Sequence, residues 1–235
     1  MLPVAILAGG WGTRLHPLTT TLPKALVEVN GEPFVVHQLR LLRAHRIEYV
    51  VLCVGYRGEM IREAVGAGQA LGLRVEYAFD GPTLRGTAGA IRNALPLLGE
   101  AFFVLYGDSY LPCEYGAVER AFVESGKQGL MTVFRNEGRW DKSNVKFENG
   151  AVIAYDKNNP TTEMHHIDYG LGAFRSSAFR EIPEGATCDL VAVYQDLLRR
   201  GQLAGFEVKQ RFYEVGSLEG LTDTAKFLAQ QTGER

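Results

Sequence analysis

The sequence predicts an α/β protein, a Rossmann-like three-layer sandwich with a mostly parallel central sheet and a small β-rich lobe. Short apolar runs with the length of buried strands alternate with amphipathic segments through the first half of the chain. The first run, Val4–Leu7, leads directly into three glycines within four positions. Hydrophobic residues make up 46% of the 235 residues and charged residues 22%, as is typical of globular domains. We therefore expect a single domain over residues 1–235.

The first half alternates between predicted strands and predicted helices. A helix is expected from Gly31-Glu32-Pro33 to about Arg46. The predicted strands are Val4–Leu7, Tyr49–Val54, Leu73–Tyr77 and Ala101–Leu105, and further helices are expected over Glu59–Val65 and Thr87–Leu97. This alternation is typical of right-handed βαβ units, so the strands should be parallel and ordered 3-2-1-4. In that order the loops after the first and fourth strands meet at one crevice, where ligands bind.

The second half is richer in predicted strands. Strands are expected over Gln128–Phe134, Asn144–Phe147, Val152–Tyr155, Ile167–Phe174, Leu203–Val208 and Arg211–Val215. Asn149-Gly150 is a typical residue pair of a type I′ hairpin turn. Helices are expected over Leu190–Arg200 and from Ser217, a candidate N-cap. No element is predicted for residues 111–127.

Composition and charge argue against several classes of protein. The net charge of −2 provides no basic surface for nucleic acid or an anionic membrane. No apolar stretch approaches the roughly 20 residues that span a bilayer, and the N-terminus lacks the basic region of a signal peptide. Cys53, Cys113 and Cys188 lack C-x-x-C spacing, which indicates reduced thiols. We expect a cytoplasmic protein that binds neither nucleic acid nor a membrane.

The loop after the first strand has the composition of a phosphate-binding loop. Its three glycines, in residues 9–12, let the backbone turn sharply so that N–H groups can point at phosphate oxygens. Arg14 and Lys24 follow and would supply positive charge. The loop fits neither the dinucleotide fingerprint, because Leu15 occupies the third glycine position, nor the P-loop.

The complete motif is longer than a glycine loop. It reads G-G-x-G-T-R-L-x-P-L-T from Gly9 and continues to Pro23-Lys24. This run resembles the signature of the sugar-1-phosphate nucleotidyltransferases, also called nucleotide-sugar pyrophosphorylases. The layout is similar to that of short bacterial members, the heptose-, mannose- or muramate-1-phosphate nucleotidyltransferases. The resemblance implies a Mg²⁺-dependent condensation of a nucleoside triphosphate with a sugar 1-phosphate, which releases pyrophosphate.

The resemblance implies a nucleotide-binding half over about residues 1–110. Arg14 is expected to contact the leaving pyrophosphate and Lys24 the triphosphate, and both are candidate catalytic residues. Asp108 is the third, a Mg²⁺ ligand, and the predicted topology also brings it opposite the glycine loop. Gly86-Thr87-Ala88 matches the run on which the base lies. The candidate nucleotide-binding residues are Leu7, Ala8, Gly9, Gly10, Gly12, Thr13, Arg14, Lys24, Gly86, Thr87 and Ala88.

The sugar-binding half is implied over about residues 111–235. Lys157 matches the lysine that meets the sugar phosphate, although Asp156 replaces the usual glutamate before it. The run from Asp168 resembles the strand that lines the sugar pocket, with aspartate in place of a residue that is often asparagine. The candidate sugar-phosphate-binding residues are Lys157, Asp168, Tyr169 and Gly170, and Tyr110 and Trp140 are further candidates for the wall.

Glu214 is the second candidate metal ligand. It lies in Phe212-Tyr213-Glu214-Val215-Gly216, where the family carries an aspartate that completes the metal site. Glutamate can still reach a cation, directly or through a water molecule.

Several functions remain open. GTP with heptose or mannose 1-phosphate is the favoured substrate pair. The alternatives are a UTP- or CTP-dependent transferase with a muramate 1-phosphate or phosphocholine-like acceptor, and a non-catalytic nucleotide-sugar-binding regulatory homologue. Retention of Arg14, Lys24 and Asp108 favours an enzyme, whereas Glu214 favours the regulatory alternative. A homodimer is compatible with each of these functions.

Overall fold

The computed structural model describes residues 1–233. The strands are β1 (Val4–Ala8), β2 (Glu28–Val29), β3 (Glu32–Pro33), β4 (Tyr49–Val54), β5 (Arg74–Phe79), β6 (Ala101–Tyr106), β7 (Ser109–Tyr110), β8 (Gly129–Arg135), β9 (Val145–Glu148), β10 (Ala151–Tyr155), β11 (His166–Arg175), β12 (Leu203–Val208) and β13 (Tyr213–Glu214). The α-helices are α1 (Phe34–Ala44), α2 (Gly58–Val65), α3 (Gly86–Leu98), α4 (Tyr115–Ser125), α5 (Leu190–Arg199) and α6 (Leu218–Gly233).

The central sheet contains nine strands. Its order is β10-β9-β11-β6-β1-β4-β5, with β8 paired to β11 and β12 paired to β8. The neighbours β5, β4, β1 and β6 are parallel, so the predicted order 3-2-1-4 is confirmed. Strands β1, β4 and β6 are apolar along their whole length because helices cover both of their faces, whereas β5, at the edge of the sheet, carries Arg74 and Glu76.

Two layers of helices enclose the sheet and complete the predicted three-layer α/β fold. Helices α1, α2 and α4 contribute buried residues to one hydrophobic core, and α3 and α5 contribute to another. Successive residues of a strand, such as Val4 and Ala5, point to opposite faces and enter different cores.

The second half of the chain joins the same sheet. The ten-residue strand β11 runs antiparallel to β6 and to β8, so it links the two halves. Its pairing with β8 is interrupted between Asp168 and Gly172, and Gly170 has a φ of 98°. The β9–β10 hairpin extends the sheet beyond the end of β11. The predicted β-rich lobe is therefore an extension of the central sheet.

Some elements were missed or displaced by the sequence analysis. Helix α4 lies in the stretch for which no element was predicted, although Tyr115, Val118 and Phe122 have helical spacing and are buried. Helix α1 begins at Phe34 rather than near Gly31, because β2 and β3 form a small hairpin before it. Strands β7 and β13 pair with each other. Strand β13 lies within the predicted strand Arg211–Val215 but holds only Tyr213–Glu214, and β7 was not predicted. None of the described helices is long and apolar enough to cross a membrane.

Candidate active site

A cavity of about 220 Å³ lies at the carboxyl ends of β1, β4, β5 and β6. This is the crevice that the topology predicts, where parallel strands of neighbouring βαβ units diverge. Its walls are mainly apolar and include Leu7, Cys53, Leu84 and Ala90. The few polar groups are concentrated at separate parts of the cavity, as in a pocket that orients a ligand by its polar ends.

Most of the candidate nucleotide-binding residues line this cavity. They are Leu7, Ala8, Gly9, Gly10, Gly12, Lys24, Gly86 and Thr87, and Asp108 joins them. Thr13 and Arg14 lie instead on the exposed 3-10 turn after the glycines. Ala88 is fully buried within α3 and does not line the cavity.

The glycine loop packs closely against the segment that carries Lys24. Gly12 has a φ of 66°, and a Cβ there would lie 3.0 Å from Thr19 Cγ2 and 3.2 Å from Lys24 Cβ. Thr19 Oγ1 donates a hydrogen bond of 2.7 Å to the carbonyl of Gly12. Only glycine fits this backbone conformation and this close approach, which hold Lys24 beside the loop.

Lys24 and Asp108 form an ion pair at the cavity, with Lys24 Nζ 2.8 Å from Asp108 Oδ2. Burial raises the pKa of Asp108, but the Lys24 ammonium, with help from Arg14, outweighs that effect and holds the pKa below its ordinary value. Asp108 is therefore an ionised carboxylate beside the glycine loop. The pair places one cation and one anion where a polyphosphate and its metal ion would meet.

A magnesium ion fits the donor at Asp108. Proteins bind Mg²⁺ through one or two carboxylates together with substrate phosphates. Within residues 1–233 no group of three or more His, Cys, Asp or Glu is arranged to hold a metal ion. A magnesium ion at Asp108 would take its other ligands from water and from the phosphates of a bound nucleotide.

Glu214 faces the start of α6 and lines a neighbouring pocket rather than the main cavity. Its Oε2 accepts a hydrogen bond of 2.5 Å from the Gly216 N–H, and its Oε1 accepts one of 2.9 Å from the Ser217 hydroxyl. The backbones are adjacent, since the Val215 N–H donates to the Asp108 carbonyl. The role of Glu214 as a metal ligand stays a prediction, and in this arrangement its carboxylate supports the helix.

Arg14 lies near the same helix start. One of its guanidinium nitrogens, Nη2, is 2.9 Å from where a Cβ on Gly216 would stand. Arg14 is exposed, yet close enough to Asp108 to contribute to its lowered pKa. Arg14 therefore lies near Asp108 and the start of α6 without lining the cavity, and its role as a catalytic residue stays a prediction.

The start of α3 is held by a loop from the second half. The N–H groups of Ala88 and Gly89 both donate to the Cys188 carbonyl, and the Leu190 N–H donates to Thr87 Oγ1 at 2.6 Å. A Cβ on Gly86, whose φ is 69°, would approach the Cys188 carbonyl oxygen to 2.6 Å. These amide groups are engaged by the chain itself, so Gly86 and Thr87 shape the cavity mainly by their small size.

Lys157 and Asp168, two of the candidate sugar-phosphate-binding residues, form an ion pair. Lys157 Nζ is 3.6 Å from Asp168 Oδ2 and 3.3 Å from the hydroxyl of Tyr106, which lines the cavity. The Asp168 side chain is 2% exposed and also accepts hydrogen bonds from the Tyr155 hydroxyl and the Gly170 N–H. Burial and the charge of Asp168 raise the pKa of Tyr106, which therefore stays protonated.

The remaining candidates lie away from the cavity. Tyr169 is buried, and its ring packs against Phe134 and Phe212. Tyr110 is buried against Phe227 of α6. Trp140 lies in the neighbouring pocket with Glu214 and packs against Phe134 and Phe212. None of these three lines the main cavity. Tyr169 belongs to one of the two large cores, and Tyr110 belongs to a small core with Phe34, Val215 and Leu228.

The sequence analysis missed Asp80 and Tyr106, which both line the cavity. Asp80 follows β5, is 4% exposed, and leaves Oδ1 without a hydrogen-bond partner in the described chain. A buried polar atom without a partner costs about 1–3 kcal/mol, and more when charged. Asp80 precedes Gly81 and Pro82, so its sequence context is typical of a surface turn. Only its burial in the folded chain identifies it as a candidate site residue.

Comparison with known proteins agrees with this geometry. A sequence model of the family described as nucleotidyl transferase matches residues 4–231. The catalytic subunit beta of mannose-1-phosphate guanylyltransferase from Danio rerio is 29% identical over 240 residues, which cover 98% of this chain and 66% of that protein. The mannose-1-phosphate guanyltransferase of Neurospora crassa is 29% identical over 97% of this chain and 64% of that protein. The chain thus spans slightly less than two thirds of these relatives.

Solved structures share the fold. A putative glucose-1-phosphate thymidylyltransferase from Bacillus anthracis, in complex with a sucrose, superposes with a TM-score of 0.85 at 19% identity, covering 97% of this chain and 95% of that one. HddC from Yersinia pseudotuberculosis, complexed with GMP-PN, gives 0.78 at 22% identity, covering 97% and 100%. The match of the family's sequence model over nearly the whole chain shows that this chain belongs to the nucleotidyl transferase family.

Proposed function

We propose that the protein transfers a nucleotidyl group from a nucleoside triphosphate to a sugar 1-phosphate, with release of pyrophosphate. The observation that carries the proposal is the Lys24–Asp108 pair, at 2.8 Å, beside a glycine loop at the carboxyl ends of parallel strands. Membership of the nucleotidyl transferase family supports it.

The proposed reaction is an in-line displacement. A phosphate oxygen of the sugar 1-phosphate forms a bond to the α-phosphorus, and the bond from that phosphorus to the oxygen bridging to the β-phosphate breaks. The nucleophile is already an anion at neutral pH, so no general base is required. Catalysis then depends on positioning and on neutralising negative charge.

The proposed role of each charged residue follows from its location. Lys24, beside the glycine loop, would neutralise charge on the triphosphate, and Arg14, at the exposed edge, would bind the departing pyrophosphate. Asp108 is the carboxylate that would hold Mg²⁺. Bound Mg²⁺ supplies further neutralisation of the phosphate oxygens.

Lys157 is the proposed contact for the sugar phosphate. Its side chain is 37% exposed, so it can reach a ligand while the buried Asp168 restrains its ammonium. Asp168 has both oxygens engaged by Tyr155, Gly170 and Lys157. We assign Asp168 the role of positioning Lys157 rather than of contacting the sugar.

The favoured substrates are GTP with mannose or heptose 1-phosphate. This preference is supported by the relatives named mannose-1-phosphate guanylyltransferase and by the similarity to HddC complexed with GMP-PN. UTP- or CTP-dependent transfer to muramate 1-phosphate or a phosphocholine-like acceptor is the alternative within the family.

A regulatory protein that binds a nucleotide sugar without turnover is a second candidate function. The observation that favours it is the use of the Glu214 carboxylate at the start of α6. If that engagement persists with nucleotide bound, one carboxylate ligand of the metal would be missing.

A pyrophosphate-release assay with Mg²⁺ tests the proposal. The common nucleoside triphosphates are crossed with mannose, heptose, glucose and N-acetylmuramate 1-phosphates and with choline phosphate. We expect release with GTP and one sugar phosphate, and no turnover from Asp108→Asn at an unchanged circular dichroism spectrum. Absence of release with every pair, together with a nucleotide-dependent rise in Tm, would instead favour the regulatory function.

A further inference from the structure

Tyr56 contacts the segment of residues 9–20, which contains the glycine loop, at three separate points. It lies two residues after β4, the strand that pairs with β1. Its backbone N–H donates a hydrogen bond of 3.2 Å to the Gly9 carbonyl, and its hydroxyl donates one of 3.0 Å to the Thr20 carbonyl. Its ring packs on Trp11, with the two ring centroids 4.4 Å apart. The contacts therefore fall at the start of the segment, among its glycines and at its end.

Arg57 fixes the direction of the Tyr56 hydroxyl. Its Nε donates a hydrogen bond of 2.7 Å to that hydroxyl, and its Nη2 donates one of 3.5 Å to the Thr20 carbonyl. The Tyr56 oxygen therefore accepts from one neighbour and donates to another, as a hydroxyl can. Tyr56 and Arg57 together attach the end of the segment to the residues that follow β4.

Residues 10–20 have few other attachments to the protein. Among them only Leu15 and Thr19 are buried. Apart from the bonds to Thr20, the hydrogen bonds that they make within residues 1–233 are internal to the segment. The conformation of the segment therefore depends strongly on its contacts with Tyr56.

The contacts of Tyr56 bear on ligand binding because the glycine loop must be ordered to bind a polyphosphate. Backbone N–H groups form an anion-binding site only when they point at one ligand. A loop that is ordered beforehand loses less conformational entropy on binding than a mobile one. Tyr56 does not line the main cavity, so it would affect a ligand there through the loop and not by direct contact.

We infer that Tyr56 is a positioning residue, which holds the glycine loop in the conformation that receives the triphosphate of the nucleotide, with Trp11 as its partner on the loop. The inference rests on the proposed function for the identity of the ligand. It adds a residue outside the cavity, beyond the end of a neighbouring strand, on which binding of the triphosphate depends.

The experiment is a calorimetric titration with inorganic tripolyphosphate and Mg²⁺, since this group is common to all nucleoside triphosphates. We expect Trp11→Leu, which removes the ring contact, to weaken binding about 3-fold or more. Tyr56→Leu also removes the hydrogen bond to Thr20 and should weaken binding about 10-fold or more. The double variant should bind about as weakly as Tyr56→Leu alone, because both single changes remove the same ring contact.

Tyr56→Phe and Tyr77→Phe form a matched pair. The first keeps the ring on Trp11 and loses only the bond to Thr20, so its affinity should lie between those of the wild type and Tyr56→Leu. The second removes a hydroxyl that donates to the Gly66 carbonyl at 2.6 Å, outside the cavity, and should leave the affinity unchanged.

Tryptophan fluorescence reports on the ring contact itself. Trp11 is one of two tryptophans, so Trp140→Phe leaves it as the single reporter. In that background Tyr56→Leu should increase quenching of Trp11 by acrylamide, whereas Tyr56→Phe should not. Equal quenching in all three proteins would contradict a contact between the two rings.

Equal tripolyphosphate affinities of the wild type and a folded Tyr56→Leu would overturn the inference, as would losses in the two single variants that simply add. Failure of the wild type to bind tripolyphosphate would also overturn it. If Tyr56→Leu does not fold, Trp11→Leu decides, since Trp11 is 55% exposed. Because no turnover is measured, binding that depends on Tyr56 without pyrophosphate release from any substrate pair would uphold Tyr56 and reject the transferase function.

Discussion

At the scale of single residues, Lys24 and Asp108 place opposite charges 2.8 Å apart, with side chains only 16% and 27% exposed. Partly exposed ion pairs contribute modestly to stability. In the proposed reaction the same ammonium, held in place beside the glycine loop, would contribute far more, to a transition state in which negative charge is redistributed. We therefore propose that the pair keeps Lys24 oriented until a polyphosphate replaces Asp108 as its partner.

We expect Lys24→Ala to lower kcat/KM by a factor of about 10² or more, the scale of one lost preorganised charge contact. The measurement is the initial rate of pyrophosphate release at subsaturating substrate. Lys209→Ala, which removes an exposed lysine paired with Glu207, serves as the control and should leave the rate unchanged. Equal rates for the two variants would mean that Lys24 does not act on the transferred phosphates.

Asp80→Asn should raise the Tm of the unliganded protein near pH 7. Burial raises the pKa of Asp80, and the hydrogen bond from Arg85 and its charge offset this only in part. A carboxylate whose pKa is raised on folding destabilises the folded state at pH values above that pKa. The penalty disappears as the pH falls toward the unfolded value of about 3.9.

Thermal unfolding of wild type and variant between pH 7 and pH 4.5 measures this effect. Each kcal/mol of destabilisation that Asp80→Asn removes should raise Tm by about 2–4 °C for a chain of this size. The difference in Tm between the variant and the wild type should shrink as the pH is lowered. A difference in Tm that grew toward acid pH would contradict a raised pKa of Asp80 in the folded protein.

These residues also mark how far the sequence predicts the site. Arg14 and Lys24 are recognisable because they belong to a long motif around one loop. Asp80 is not recognisable in the sequence, because its environment is formed by the ends of three strands that meet only in the folded sheet. Tyr106 likewise acquires its contact with Lys157 through β11, which is distant in sequence.

At the scale of elements, local chemistry decides some structures and long-range pairing decides others. Asn149 and Gly150 have φ values of 51° and 79°, as a type I′ turn requires, so the predicted β9–β10 hairpin is confirmed. Strands β7 and β13 hold two residues each and exist only because they pair with each other. Strand β13 lies within the predicted strand Arg211–Val215, whereas β7 is too short for any periodicity to be read. Helix α4 was predictable from its buried stripe and was missed.

The start of α6 illustrates an element fixed by side chains. Ser217 Oγ accepts a hydrogen bond of 3.0 Å from the Gly220 N–H and donates to Glu214, as expected for an N-cap. We expect Ser217→Ala to lower the free energy of unfolding by about 1 kcal/mol. Urea unfolding with an unchanged m-value measures the loss.

Thr222→Ala is the matched control for the cap. It removes an exposed hydroxyl that bonds to the Leu218 carbonyl inside the same helix, and it should change stability by no more than about 0.5 kcal/mol. Equal losses in the two variants would mean that the Ser217 cap adds nothing specific to α6.

At the scale of the whole molecule, the doubly wound order of the right-handed βαβ units determines where the cavity lies. That order, 3-2-1-4 for the four parallel strands, brings the glycine loop and Asp108 to one crevice. It does not determine how the second half attaches. Strand β11 pairs with β6, β8 and β9. This branching depends on a break in register at residues 168–172, which the sequence analysis did not predict.

The attachment of β11 makes the two halves one cooperative unit. Its pairing with β6 joins the second half of the chain to the first half, and each large hydrophobic core contains residues from both. Unfolding either half alone would expose an edge of the sheet and half of each core. We therefore expect a single calorimetric transition, with equal calorimetric and van't Hoff enthalpies. Saturating GTP should shift the whole transition upward, by mass action, without splitting it. Two resolved transitions, or a shift confined to part of the heat absorption, would mean that the halves unfold independently and that the shared sheet does not couple them.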